Sequence, residues 1–241
     1  HTVNVRLFPE QITYVINHAS DGVVFVDDSL VPLIAPLVGD IDGVRHWVVM
    51  GNGDASAIPG ALSYEELIAE APDGTYDWPE IDERQAASLC YTSGTTGNPK
   101  GVLYSHRAIA LHSPASCMTD GLGISSTDRV LTIVPMFHVN AWGLPYSAAM
   151  TGADLLMPGP HLQGEPLARF AEIEGATMIA GVPTVLSALL EHIDRHGGDL
   201  SSLRGGICGG AAVPRSLMEG FERHGVPILQ AWGMTETAPL L

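Results

Sequence analysis

Residues Tyr91-Thr-Ser-Gly-Thr-Thr-Gly-Asn-Pro-Lys-Gly101 carry the densest chemistry in the chain. The run combines three glycines, four Ser/Thr hydroxyls and one lysine. Hydroxyl and backbone N–H donors on a flexible loop, with one positive charge, suit a polyanion such as a triphosphate. Glycine lets the main chain approach the ligand because no Cβ intervenes. The run is not a G-x-x-x-x-G-K-[ST] loop, since Pro99 precedes Lys100 and Gly101 follows it. Two further sets of residues could do chemistry of another kind. Gly206-Ile-Cys208-Gly-Gly210 has the outline of a strand–turn–helix nucleophile elbow with cysteine for serine, which would make a cysteine-dependent acyl hydrolase. No His/Asp partnership for it is evident, and it leaves the glycine/hydroxyl loop unexplained. His192 and His196 stand four apart on a predicted helix, as zinc ligands can. Without H-E-x-x-H, and in a helix's last turns, they read better as complements to the helix dipole.

The loop joins two predicted strands, Ala87–Tyr91 and Val102–Ser105, so no helix N-terminus directly follows it. Elsewhere short apolar runs alternate with amphipathic stretches. Strands are predicted at 23–26, 47–50, 129–134, 154–157, 177–180, 206–208 and 227–230. Helices are predicted near 142–151, 165–174, 183–196 and 214–224, with Pro183 and Pro214 in first turns and Gly197 and Gly225 as stops. Ser63-Tyr-Glu-Glu66 reads as a capping box opening a short helix to Ala71, and Ser105 as the cap of a helix starting at His106. Residues 71–83 read as a surface connection. Val3, Val5 and Leu7 alternate like a strand already under way. The alternation predicts an α/β fold of βαβ units with largely parallel sheets, whose ligands sit at the carboxyl ends of the strands. A lobe of about residues 1–125 would carry the loop, and one of about 126–241 the rest.

Composition narrows the partners. A net charge of −16 argues against nucleic acid, which wants a basic face. It does not exclude an anionic small ligand, because surface fields are screened beyond about 8 Å at physiological salt. Cys90, Cys117 and Cys208 are widely spaced, which argues against disulfides and a zinc site and for a reduced compartment. No apolar run reaches the ~18 residues of a membrane span, and no signal peptide is visible. A cytoplasmic protein, or one peripheral to a membrane, is expected.

Thr92-Ser-Gly-Thr-Thr-Gly-Asn-Pro-Lys-Gly101 resembles the signature of the adenylate-forming superfamily of acyl-CoA synthetases, luciferases and peptide-synthetase adenylation domains. Pro135-Met-Phe-His-Val-Asn-Ala-Trp-Gly143 resembles its acyl-pocket motif, and Gln230-Ala-Trp-Gly-Met-Thr-Glu-Thr237 its adenine and magnesium motif, in the expected order. Gly209-Gly-Ala-Ala-Val-Pro214 lies where that family has an adenine-contacting loop. The resemblance implies part of the superfamily's large N-terminal domain, acting on ATP, Mg²⁺, CoA and a carboxylic acid. It implies that Thr92, Ser93, Gly94, Thr95, Thr96, Gly97 and Lys100 hold phosphates. Gly209, Gly210, Ala211, Gln230, Trp232 and Gly233 would border the nucleotide. Thr235 would contact the α-phosphate, and Glu236, with Thr92, would hold the metal. His138, Trp142 and Gly143 would meet the acid, and His138 joins Thr235 and Glu236 as a candidate catalytic residue.

In the superfamily's amino-acid-activating members an Asp that pairs with the substrate amine stands where this chain has His138. The string His-Val-Asn-Ala-Trp142 is most similar to medium- and long-chain fatty acyl-CoA synthetases. A fatty acid is therefore the expected substrate; an aryl or amino acid, or a nucleotide-binding pseudoenzyme, are the alternatives. The resemblance also implies a fragment. The chain starts at His1 rather than Met and stops just after a motif, so an upstream segment and a mobile C-terminal domain are expected to be absent and the fragment alone inactive.

Overall fold

Ile12, Val15 and Ile16 repeat at helical spacing behind Pro9, whose fixed φ suits a first turn. They form the buried stripe of α1 (Pro9–Ala19). The computed structural model describes residues 1–72, 74–92 and 97–238. Two compact units emerge: one of His1 and residues 3–82 and 91–101, the other of Thr2 and residues 83–90 and 102–241.

In the first unit α1 leads to β1 (Val23–Asp27), α2 (Val31–Ile34), β2 (His46–Met50), β3 (Leu62–Ser63) and α3 (Tyr64–Glu70). The three strands pair in parallel in the order β1-β2-β3. Val26, Trp47 and Val49 pack with α1 and with Val31 and Ile34 of α2. Ser63 caps α3 as its sequence suggests, its Oγ accepting the Glu66 N–H at 3.3 Å. The expected strand over Val3–Leu7 is absent. Asn4 Oδ1 accepts the Arg6 N–H at 2.9 Å. The Asn4 carbonyl accepts the Leu7 N–H at 3.2 Å. Asparagine's local hydrogen bonding there satisfies the backbone without a strand partner.

Two strands, β4 (Ala86–Thr92) and β5 (Lys100–Ser105), pair with each other around the glycine/hydroxyl loop. Residues 93–96 of that loop, including Ser93, Gly94, Thr95 and Thr96, lie outside the described residues. At its base Thr92 Oγ1 donates to the Lys100 carbonyl at 3.4 Å, Gly97 takes φ +101°, and the Lys100 side chain is exposed. Ser105 caps α4 (His106–Cys117), accepting the Ala108 N–H at 3.1 Å.

The second unit continues with β6 (Arg129–Thr132), α5 (Val139–Trp142), α6 (Leu144–Thr151), β7 (Asp154–Leu156), α7 (Gly164–Ile173), β8 (Met178–Gly181), α8 (Pro183–His196), β9 (Gly205–Cys208), α9 (Arg215–Arg223) and β10 (Ile228–Gln230). Its five strands are all parallel, in the order β10-β9-β8-β6-β7. Neighbouring residues point to opposite faces. Leu131, Ile179 and Cys208 enter one core with α7, α8 and α9. Val130, Met178, Ala180 and Ile207 enter another with Tyr104 and Leu144. Both faces are covered, which is why these strands read as continuous apolar runs rather than alternations.

Candidate functional site

At the carboxyl end of this sheet two turns meet in contact. The Gly209 N–H donates to the Gly181 carbonyl at 3.3 Å, and the Ala231 N–H to the Cys208 carbonyl at 2.8 Å. A Cβ on Gly209 would fall 2.7 Å from the Ala231 carbonyl oxygen. Only glycine allows that approach, so the turn after β9 and the segment after β10 are in van der Waals contact. Gly210 has φ +77°, and its Cα faces Val182 and the Trp142 ring, which a Cβ would meet at 3.4 and 3.9 Å.

The structure thus brings Gly209, Gly210, Trp142 and the start of the Gln230–Thr237 segment together. Gln230, Trp232 and Gly233 are solvent-exposed, Trp232 at 58%, and so are Gly210 and Ala211. Beyond them residues Thr235–Thr237 form one turn of 3₁₀ helix. Thr235 is buried and its carbonyl accepts the Tyr104 hydroxyl at 2.5 Å. That bond fixes the turn presenting Glu236, which is exposed and has no ion-pair partner among the described residues. No cluster of three His, Cys, Asp or Glu is found among the described residues. One free carboxylate fits Mg²⁺, which takes one or two protein carboxylates and completes its shell with phosphate oxygens and water.

The residues between His138 and Gly143 hold the most unusual backbone among the described residues. Val139, Asn140, Ala141 and Trp142 have φ of 53°, 47°, 51° and 58°, and Gly143 follows at 74°. The predicted helix over 142–151 therefore begins only at Leu144, and what precedes it is a left-handed turn. Each L-residue in that conformation costs about 1–2 kcal/mol, and a β-branched residue such as Val139 is an outlier there.

The turn is held from several sides. The Ala141 N–H donates to the His138 carbonyl and the Gly143 N–H to the Asn140 carbonyl, both at 3.1 Å. The buried Asn140 side chain accepts the Ser88 hydroxyl at 2.6 Å and donates to Thr2 Oγ1 at 3.3 Å. His112 Nε2 of α4 lies 3.2 Å from the Trp142 carbonyl. Trp142 itself is only 6% exposed and belongs to a hydrophobic core. His138 keeps solvent access, while the protein packed around its ring lowers its pKa and favours the neutral form.

Sequence reasoning assigned no role to His112 or Asn140. His112 and Ser116 sit four apart on α4, a polar pair on a buried helical stripe, and asparagine is among the few residues that tolerate the left-handed region; both were available signals. Cys208, by contrast, is ruled out as a nucleophile. It is 0% exposed within the α7–α9 core, and burial pushes its thiol up to about 11, so the reactive thiolate is suppressed.

Residues 1–241 match the family described as AMP-binding enzyme. The chain belongs to this family. It is 51% identical over 243 residues, 99% of its length, to a medium-chain-fatty-acid–CoA ligase of Ectopseudomonas oleovorans, covering 44% of that protein. It is also 51% identical over 244 residues, 100% of its length, to a 3-methylmercaptopropionyl-CoA ligase of Ruegeria lacuscaerulensis, covering 45% of it. Among solved structures, an anthranilate CoA ligase in complex with anthranoyl-AMP aligns with TM-score 0.88 and 27% identity, over 99% of this chain and 46% of that one. The chain spans less than half the length of these proteins and shares the fold of the anthranilate CoA ligase.

Proposed function

We propose that this chain is the ATP- and acid-binding part of an AMP-forming acyl-CoA ligase whose acid is a fatty acid. The observation that carries the reading is 51% identity, sustained over nearly the whole chain, to a medium-chain fatty-acid ligase. The site residues support it: a glycine turn and an exposed tryptophan stand at the carboxyl end of a parallel sheet, where such folds take nucleotides.

In the proposed reaction a carboxylate oxygen of the acid attacks the α-phosphorus of ATP and pyrophosphate leaves. The thiol of CoA, losing its proton, then attacks the acyl carbonyl carbon and AMP leaves. Both partners in the first step are anionic, so the chain must neutralise charge and align the groups. Lys100, with Thr92 and the glycine/hydroxyl loop, would bind the β- and γ-phosphates through charge-assisted bonds. Gly209, Gly210 and Ala211 would border the adenine on one side, and Gln230, Trp232 and Gly233 on the other. Thr235 would meet the α-phosphate. Glu236 and Thr92 would hold Mg²⁺, which when bound supplies positive charge to the phosphate oxygens.

His138, Trp142 and Gly143 would border the acid. The neutral bias of His138 and the apolar burial of Val139 and Trp142 offer no anion for a substrate amine, which favours an unsubstituted acid over an amino acid. The equal identity to a 3-methylmercaptopropionyl-CoA ligase supports a second reading, a short thioether acid.

The test is acid-dependent pyrophosphate release by the whole protein with ATP and Mg²⁺, across fatty, thioether, aryl and amino acids, with acyl-CoA identified by mass spectrometry. Fatty acids should be turned over best. Best turnover of the thioether acid would move the assignment to the second reading, and best turnover of an amino acid would contradict both.

A further inference from the structure

The left-handed turn at Val139–Trp142 needs a reason to keep its hand, because in Val-Asn-Ala-Trp only the asparagine tolerates that region readily and none of the four requires it. Its first half is tied by the Asn140 side chain to Ser88 and Thr2. Its second half, the part carrying the Trp142 ring and Gly143, is tied by His112 at the Trp142 carbonyl and, more loosely, by the Ser147 hydroxyl, which donates to the Gly143 carbonyl at 3.4 Å. A carbonyl oxygen can only accept, so the 3.2 Å contact requires the Nε2–H tautomer of His112. Ser116 Oγ lies 3.2 Å from the same nitrogen, while the Ser116 hydroxyl donates to the His112 carbonyl at 3.2 Å.

The imidazole also presses on the turn. A Cβ on Gly143 would lie 2.5 Å from His112 Cδ2 and Nε2, so residue 143 is glycine both for its φ of +74° and for this ring. Burial lowers the His112 pKa and favours the neutral ring, which retains a single N–H for the carbonyl.

We propose that His112 is a positioning residue for the acid: its Nε2–H, bonded to the Trp142 carbonyl, fixes the left-handed turn and thereby where the Trp142 ring and Gly143 stand, setting which acyl chains are accepted. The proposal rests on the ligase reading, in which this turn borders the acid. His112 touches no reacting atom in it. Its effect passes through the backbone at Trp142, whose ring faces Gly210 of the turn after β9. Loss of the donor should let residues 141–142 leave the left-handed region and move that ring.

The experiment compares wild type, His112→Phe and His112→Gln in the whole protein, by pyrophosphate release over a series of fatty acid chain lengths. Phenylalanine keeps the ring's bulk without the donor; glutamine keeps an N–H near the position of Nε2. His112→Phe should raise KM for the best acid about fivefold and flatten the chain-length profile, with KM for ATP within about twofold of wild type. His112→Gln should restore the wild-type profile. A folded His112→Phe enzyme with the wild-type profile, or a His112→Gln enzyme as impaired as His112→Phe, overturns the proposal.

Should His112→Phe fail to fold, the imidazole ¹⁵N spectrum of the wild-type protein decides, with His112 assigned by its loss in His112→Gln. Protonation at Nε2 supports the proposal and protonation at Nδ1 alone overturns it. A wild-type protein that releases no pyrophosphate with any acid sinks the ligase reading, and this proposal with it. An active wild type with an unchanged His112→Phe variant sinks the proposal alone.

Discussion

The two ends of the five-stranded sheet are built from opposite chemistry. At the amino end, Asp128 is 3% exposed just before β6 and spends its carboxylate on the protein. Arg204, entering β9, donates to it from Nε at 2.7 Å and from Nη2 at 2.9 Å. The Ser125 N–H and the Thr177 hydroxyl, ahead of β8, each donate at 2.8 Å. Beside this network Arg129 bridges Asp154 of β7 at 3.2 Å and Glu174 at 3.1 Å. At the carboxyl end Gly210, Trp232 and Glu236 are exposed, and the Glu236 carboxylate has no ion-pair partner among the described residues. One end uses its polar groups to hold four strands in register; the other leaves them available to a ligand. On the proposed reading, the same sheet separates stability from chemistry along its strands.

Four changes would break or sharpen that contrast. The largest effect is expected from Asp128→Ala, which strands the Arg204 guanidinium and leaves buried donors unpaired. It should cost about 3 kcal/mol in urea unfolding, while leaving nucleotide-dependent activity intact below the melting transition. Gly209→Ala tests a place where the carboxyl end is sterically closed. Its Cβ would press on the Ala231 backbone, and a loss of about 2 kcal/mol in stability is expected, together with weaker ATP binding by calorimetry.

The third change is in pH. Burial alone would raise the Asp128 pKa, but Arg204, the Ser125 N–H and the Thr177 hydroxyl outweigh it and hold the carboxyl well below the usual carboxylate range. A depressed folded-state pKa contributes stability that is present above the unfolded value near ~4 and is lost as pH falls toward the folded value. Unfolding free energy of the wild type should therefore fall more steeply below about pH 4 than that of Asp128→Asn, by up to about 1.4 kcal/mol per pH unit. A common slope would mean the network contributes nothing. The smallest effect on stability is expected from Trp232→Ala. An exposed ring at the carboxyl end should change unfolding by less than about 0.5 kcal/mol, yet weaken ATP binding measurably by calorimetry.

The contrast explains what the sequence makes legible. Strands such as Met178–Gly181 and Gly205–Cys208 can be read because both faces of a parallel sheet are buried and local apolar content reports it. The Gly209–Gly210 turn and the Trp232–Glu236 segment can be read because close approach at Gly209, and the ligand contacts proposed for Trp232 and Glu236, demand particular residue types in short order. The Asp128–Arg204 pair cannot: its members are 76 residues apart and meet only because β6 and β9 both flank β8. The left-handed turn is only partly legible: Asn140 tolerates its hand, but the partners that hold it, Ser88, Thr2 and His112, come from other parts of the chain. The strand expected at Val3–Leu7 fails for the complementary reason. Period-two apolarity is present, but Asn4 supplies local hydrogen bonds that end the chain's need for a partner.

The most direct test of this division is one crossed measurement in the whole protein: acid-dependent pyrophosphate release by Glu236→Gln and Asp128→Asn, at a temperature well below both melting transitions and over a range of Mg²⁺ concentrations. Glu236→Gln should release pyrophosphate at least about tenfold more slowly and demand more Mg²⁺, with unfolding unchanged. Asp128→Asn should keep the wild-type rate and Mg²⁺ dependence while melting earlier. A Glu236→Gln enzyme whose Mg²⁺ curve superimposes on wild type, or an Asp128→Asn enzyme slowed while fully folded, would contradict the assignment of chemistry to the carboxyl end and stability to the amino end.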